Sequence, residues 1–314
     1  MFSIGIDLGG TKISSAIFDG AGNIRKKNLV FIENRSGREV GKLIRDQVFI
    51  LLDHCNKNNL EVSGLGISVP GIVYPETGRV WAPNIKGWED YPLRDELISE
   101  IGKSNIKIMV DNDRACSILG EVWKGNARGC RNVITIIVGT GIGAGIIVNG
   151  EIVRGFGGAA GAVGWLALDR PFREEYSSCG GFEYWASGNG IASRAREFIS
   201  KDASYDGILK AKPLNEISSH DVFSALETGD QISRKVIDQA IECWGMTVAN
   251  LVSLFNPEKI ILGGGVFGPA LKFLDDIYKE AVKWAQPVSI RQATLEASSL
   301  GSEAVLFGAG WIGL

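Results

Sequence analysis

Three strands in this chain each run into a cluster of glycines, and that pattern limits the possible folds more than any other feature. Ser3–Asp7 leads into Leu8-Gly9-Gly10-Thr11-Lys12. Asn132–Val138 leads into Gly139-Thr140-Gly141-Ile142-Gly143-Ala144-Gly145. Lys259–Leu262 leads into Gly263-Gly264-Gly265. Glycine clustered at a strand end brings bare backbone to the edge of a sheet, where it can approach a ligand closely. One such turn is ordinary turn chemistry. Three of them, in a chain of 314 residues with 41 glycines, point to a ligand gripped by backbone N–H groups.

The companions of each turn suggest a division of labour. In the first, Gly9 and Gly10 form a nest for phosphate oxygens, with the Thr11 hydroxyl and the Lys12 cation beside it. Asp7, at the strand's end, is placed to hold Mg²⁺ through water, because Mg²⁺ keeps much of its hydration shell. Thr140 and Gly141 offer a second phosphate nest. Gly263, Gly264 and Gly265 have no charged neighbour and suit a flat, nearly neutral adenosine. None of the clusters has the Walker A spacing, and the first lacks the third glycine of a dinucleotide fingerprint.

Between these turns the hydrophobic period gives the other elements. Ile13–Phe18 and Ile24–Ile32 read as strands that continue the first into an antiparallel meander. Val40–Cys55, Pro92–Ile101, Arg114–Lys124, Phe273–Trp284 and Gly301–Trp311 read as helices, and Gln231–Phe255 as a long one ended by Pro257. Leu65–Val69 and Ile106–Val110 read as strands, Gly145–Val153 as a hairpin, and Glu183–Ser200 as one or two helices. Lys201–Ser218 is poorly patterned and reads as a surface excursion. The result is an α/β chain long enough for two domains.

A net charge of -3 with no long basic block favours neither nucleic acid nor membrane surface. Five scattered cysteines, never spaced as CxxC, fit reduced thiols in a cytoplasm. The first residues lack the basic-then-apolar pattern of a signal peptide, and no apolar run is long enough to span a bilayer. Asp113 follows a strand and precedes a helix. A carboxylate there can reach a substrate hydroxyl as general base, or it can simply cap the helix, a role for which Asp111 and Asn112 compete.

The three turns, in this order and at this separation, resemble those of the actin-like ATPase and sugar kinase superfamily. With VPG at 69–71, APNIKGW at 82–88, DNDRACSILGE at 111–121, VGTGIGAGII at 138–147 and ILGGGVFG at 261–268, the chain is identified as a member of the ROK family (repressors, open reading frames and kinases). The resemblance implies a two-domain actin-like ATPase, or ribonuclease H-like, sugar kinase fold with ATP and sugar in the cleft between domains. Residues 1–110 with 300–314 would form the smaller domain and residues 111–299 the larger. It implies ATP and Mg²⁺, Asp113 as the base, and sugar contacts from Pro70, Gly71, Asn84, Asn112 and Glu183. It also implies a homodimer or homotetramer. Family repressors carry an N-terminal DNA-binding segment, whereas this chain begins at its first strand, so a kinase is expected. A non-catalytic sugar sensor is the alternative.

Two departures stand out. The family's Glu-x-Gly-His segment reads Ala162-Val163-Gly164-Trp165 here, and of its zinc-binding cysteine run only Cys179 remains. Both histidines, His54 and His220, lie far away in sequence, so no structural zinc is expected. Trp165 either fills the zinc cluster's place with aromatic packing or lines the sugar pocket. Losing a polar contact at Ala162 leaves the sugar open: glucose, a related hexose or an N-acyl hexosamine, at the 6-hydroxyl.

Overall fold

The computed structural model describes residues 1–101 and 106–314. Its first sheet has the order β3-β2-β1-β4-β7, built from β1 (Phe2–Leu8), β2 (Lys12–Asp19), β3 (Ile24–Phe31), β4 (Val62–Val69) and β7 (Lys107–Asn112). β1, β2 and β3 form the antiparallel meander, and β4 and β7 add parallel to β1. A small hairpin of β5 (Ile72–Val73) and β6 (Val80–Trp81) follows β4. Helices α1 (Arg38–Lys57) and α2 (Leu93–Ile101) belong to the same part of the chain.

The second sheet repeats this plan. Its order is β10-β9-β8-β11-β12, from β8 (Val133–Val138), β9 (Ile142–Val148), β10 (Glu151–Ile152), β11 (Lys259–Gly263) and β12 (Thr294–Ala297). An antiparallel meander again comes first, and two parallel strands are added beside its first strand. Between β10 and β11 lie α4 (Tyr176–Cys179), α5 (Gly181–Ala186), α6 (Gly188–Lys201), α7 (Ser219–Glu227) and α8 (Gln231–Phe255). Helices α9 (Leu274–Trp284) and α10 (Ser289–Gln292) precede β12. Each sheet has its own core: Ile4, Ile6, Ile67 and Val48 in the first, Ile134, Ile136, Trp244 and Val252 in the second.

Two helices stand between the sheets. α3 (Asp113–Lys124) packs on β8 and β9, and α11 (Ala304–Ile312) packs on β1, β2 and β4. Glycine allows them to touch. A Cβ at Gly120 would strike the Ala304 carbonyl, and one at Gly308 would strike the Cys116 backbone. A Cβ at Gly5 would lie 2.6 Å from the Gly310 nitrogen, so α11 rests directly on the β1 backbone.

Three sequence expectations need correction. The glycine run 139–145 is not one loop: only Gly139–Gly141 turns, and Ile142 already starts β9. Gly143 and Gly145 sit in that strand because α3 crosses it there, with the Arg114 Cγ 2.9 Å from where a Gly143 Cβ would be. Lys201–Ser218 is no plain excursion, since Tyr205, Leu209 and Ile217 are buried in the second core. Helix α7 and strand β12 had no counterpart in the sequence pattern. The long helix matches its expected bounds. The Asp230 side chain caps its start, and Asn256 in left-handed geometry ends it one residue before Pro257.

Candidate active site

Asp113 opens α3, but it does not cap it. The Asn112 Oδ1 takes the Ala115 N–H at 2.9 Å and fills the cap. Asp111 is engaged elsewhere: its Oδ2 accepts from the Arg154 Nε at 3.1 Å and Nη2 at 2.6 Å. Asp113 is therefore the one member of the Asp-Asn-Asp run whose carboxylate serves neither a cap nor an ion pair. It accepts only the adjacent Arg114 N–H, at 2.9 Å. Burial raises its pKa from the ordinary value, against the pull of the Arg114 charge and backbone N–H groups.

Asp7 closes in from the first sheet. Burial first, and the Asp113 charge second, push its carboxyl up to about 7, with Lys12 pulling the other way. The strand register brings the two carboxylates to one end of the sheet: Asp7 lies beside Ser68, and Ser68 beside Asp111, two residues before Asp113. Beyond Asp7 the chain turns through Gly9 and Gly10, and the Gly9 N–H closes the turn on the Lys12 carbonyl at 3.0 Å. Thr11 and Lys12 are exposed.

The Asn84 loop meets this turn: a Cβ at Gly10 would lie 3.6 Å from the Asn84 Nδ2. Its shape is fixed by its own backbone. The Ala82 N–H donates to the Trp88 carbonyl at 2.7 Å, and the Trp88 N–H to the Ile85 carbonyl at 3.0 Å. Buried Trp88 stacks on Tyr91 and donates its indole N–H to the Gly37 carbonyl at 2.9 Å. Pro70 and Gly71 end β4. Gly71 has φ 90, and a Cβ there would strike the Trp81 carbonyl, so the turn admits no side chain.

The second and third glycine turns share a cavity of about 410 Å³. Gly139, Thr140 and Gly265 line it, and neither Gly139 nor Gly265 has an atom within 4 Å of its missing Cβ. Gly264, with φ 91, presses on the Val138 backbone and joins the two turns. The Gly188 N–H holds the Gly139 carbonyl at 2.8 Å, which anchors the turn to α6. The other wall is Asn189, Ser219, His220 and Phe223. The sequence pattern offered none of these four as a site residue, although Ser218 and Asp221 form a capping box that announces α7.

Glu183 stands beside the second turn. Its Oε2 accepts the Ile142 N–H at 2.7 Å and would lie 2.7 Å from a Gly141 Cβ. Burial raises its pKa, and the Ile142 N–H opposes that. Trp165 is 58% exposed, so its ring does not supply the aromatic packing considered for the zinc cluster's place. Other residues build that region. Tyr176 donates to the Asp169 Oδ2 at 2.6 Å and receives the Trp185 indole N–H at 3.0 Å. Tyr184 packs edge-on against both rings, and the Arg194 guanidinium lies 3.7 Å over it. Among the described residues, no three His, Cys, Asp or Glu side chains gather as a metal cage.

Known proteins resemble this chain over almost its whole length. The ROK family model matches residues 3–313. A glucokinase of Halalkalibacterium halodurans is 33% identical over 317 residues, covering 98% of this chain and 94% of its own. A xylose repressor of Caldicellulosiruptor bescii is 31% identical, covering 97% of this chain and 76% of its own. Among solved structures, a ROK family glucokinase from Streptomyces griseus, in complex with glucose and AMPPNP, superposes with TM-score 0.78 at 27% identity, covering 99% of each chain. A match of the family model over almost the entire length, together with a relative at this identity, means that the chain belongs to the ROK family.

Proposed function

We propose that Asp113 is the general base of an ATP-dependent phosphoryl transfer to a hexose hydroxyl. The chain is an ATP-dependent sugar kinase with the two-domain actin-like ATPase fold of its family. The observation that carries the assignment is Asp113 itself, a half-buried carboxylate relieved of capping by Asn112 and of ion pairing by the Asp111–Arg154 pair. A carboxylate in that state can accept a hydroxyl proton as the sugar oxygen attacks phosphorus.

The residues around it divide the remaining tasks. Asn84, beside the first turn, and the free Nδ2 of Asn112 offer amide contacts to sugar hydroxyls. Pro70, Gly71, Glu183 and exposed Trp165 complete the sugar side. Gly9, Gly10, Thr11 and Lys12 take phosphate oxygens from one lobe, and Thr140 and Gly141 from the other. Gly263, Gly264 and Gly265 close on adenosine above the 410 Å³ cavity. Asp7 fits a water-mediated Mg²⁺ ligand, because an enclosed carboxylate held up to about 7 beside another carboxylate gains from a divalent cation. When bound, that ion would neutralise phosphate charge.

We divide the chain into residues 1–110 with 300–314 and residues 111–299, because α11 rests on the first sheet. We place the protein in the cytoplasm and read it as a homodimer or homotetramer through the larger unit. Exposed Leu254 and Trp284 there supply apolar surface, which light scattering would test. Among the described residues no helix is long and apolar enough to cross a membrane.

The test is ADP release over a panel of hexoses and N-acyl hexosamines, for wild type and Asp113→Asn. The variant is expected to lose roughly 10²–10⁴ in kcat while still binding ATP. Turnover that survives the substitution would remove Asp113 as base. The similarity to a xylose repressor keeps a second reading, a sugar-responsive protein without turnover. Calorimetric sugar binding with no ADP release on any sugar would favour it.

A further inference from the structure

We propose that Arg114 is a positioning residue for phosphoryl transfer, one that ties the two acceptor-side loops to the first turn of α3. The idea rests on Asp113 being the base. Arg114 follows Asp113, and its side chain leaves α3 sideways along a channel floored by glycine. Its Cγ lies 2.9 Å from the missing Cβ of Gly143, and its Cδ lies 3.7 Å from that of Gly161. At the end of the channel, one nitrogen reaches two carbonyls. The Nη2 donates to the Gly71 carbonyl at 2.9 Å and to the Gly158 carbonyl at 3.4 Å. Gly71 belongs to the turn after β4, and Gly158 to the loop between β10 and α4.

Among the described residues Arg114 makes no salt bridge: Asp111 is taken by Arg154, and the neighbouring Asp113 feels its charge without pairing to it. The Arg114 Nε is buried and makes no hydrogen bond. A buried donor left unpaired is costly, so the side chain is placed for the two carbonyls and not for its own satisfaction. Gly143 follows from the same requirement, since a Cβ there would strike the Arg114 stem. The 158 loop touches both lobes: a Cβ at Gly158 would meet the Val73 carbonyl, and the Ala144 N–H donates to the Gly161 carbonyl at 2.7 Å. Arg114 thus couples Asp113, the Gly71 turn and the 158 loop into one rigid floor beneath the acceptor hydroxyl.

Arg114→Met, which keeps the stem and removes both bonds, tests this. Misplacing reacting groups by about 1 Å costs on the order of 100-fold, so kcat/KM for the sugar should fall by about that factor. The KM for ATP should stay within about two-fold. ADP release should also outrun sugar phosphate, because a loosened acceptor admits water. Since both bonds come from one nitrogen, Arg114→Lys should recover part of the loss. The proposal is overturned if Arg114→Met leaves the sugar kinetics and coupling unchanged, if it shifts the ATP KM equally, or if Lys does no better than Met. Should Arg114→Met fail to fold, Arg114→Lys alone decides: an intermediate loss confined to the sugar supports the tie, and wild-type kinetics end it. Asp113→Asn, run in parallel, separates failure of the base from failure of the tie.

Discussion

At the scale of single residues, the Asp-Asn-Asp run shows how far a sequence can be read. Three polar residues at a strand-to-helix turn compete for one cap, and no local rule ranks them. The fold decides, because Arg154 arrives from a loop 43 positions away to occupy Asp111 and leaves Asn112 to cap. Asp7 carries a cost that the sequence also hides. Its carboxyl binds a proton near pH 7 in the folded chain and near the ordinary 3.8 when unfolded. The folded state holds the extra proton between those values, so Asp7 withdraws stability as pH rises through that window. Asp7→Asn, without Mg²⁺ or nucleotide, should therefore melt higher than wild type at pH 8, by up to a few kcal/mol. The difference should shrink towards pH 4. Melting curves that run parallel from pH 4 to pH 8 would show that Asp7 is not strained.

Elements were legible where a long period or a cap stood alone. The 25-residue α8 has an apolar stripe over many turns, and no tertiary contact was needed to see it. Helix α7 has only nine residues and follows two short 3-10 turns, so its period is too brief to register. Glycine was the harder problem. An absent side chain admits a ligand at Gly139 and Gly265, and it admits a crossing helix at Gly143 and Gly145. The letter is the same in both cases, and only packing separates them. The α7 cap offers a test at this scale. Ser218→Ala removes the acceptor of the Asp221 N–H and should cost about 1 kcal/mol. Because Ser219 and His220 line the cavity assigned to adenosine, the KM for ATP should rise while that for the sugar does not. A denaturant titration with both KM values checks this, and an equal rise in both would detach α7 from the nucleotide.

The molecule as a whole is two copies of one sheet plan held apart by two helices. That duplication is invisible to residue spacing, because it lives in strand order and direction and not in recurring letters. The glycine turns were visible because each follows a strand of the repeated plan. α3 touches strands of both sheets, α11 packs on α3 and on the first sheet, and α3 carries the base at its first turn. Their crossing has no slack, because the place a Gly308 Cβ would take is filled by the Cys116 backbone. Backbone cannot repack as a side chain can, so Gly308→Ala must part the helices. Such overpacking typically costs about 1–3 kcal/mol. Gly20→Ala is the control, since its Cβ would meet only the Met1 carbonyl, at 3.8 Å. The first variant should lower the unfolding midpoint and raise the KM of both substrates, because parting α3 from α11 shifts one set of glycine turns against the other. The control should do neither. If Gly308→Ala lowered stability but left both KM values unchanged, the crossing would be a structural seam and not the pivot that sets the cleft.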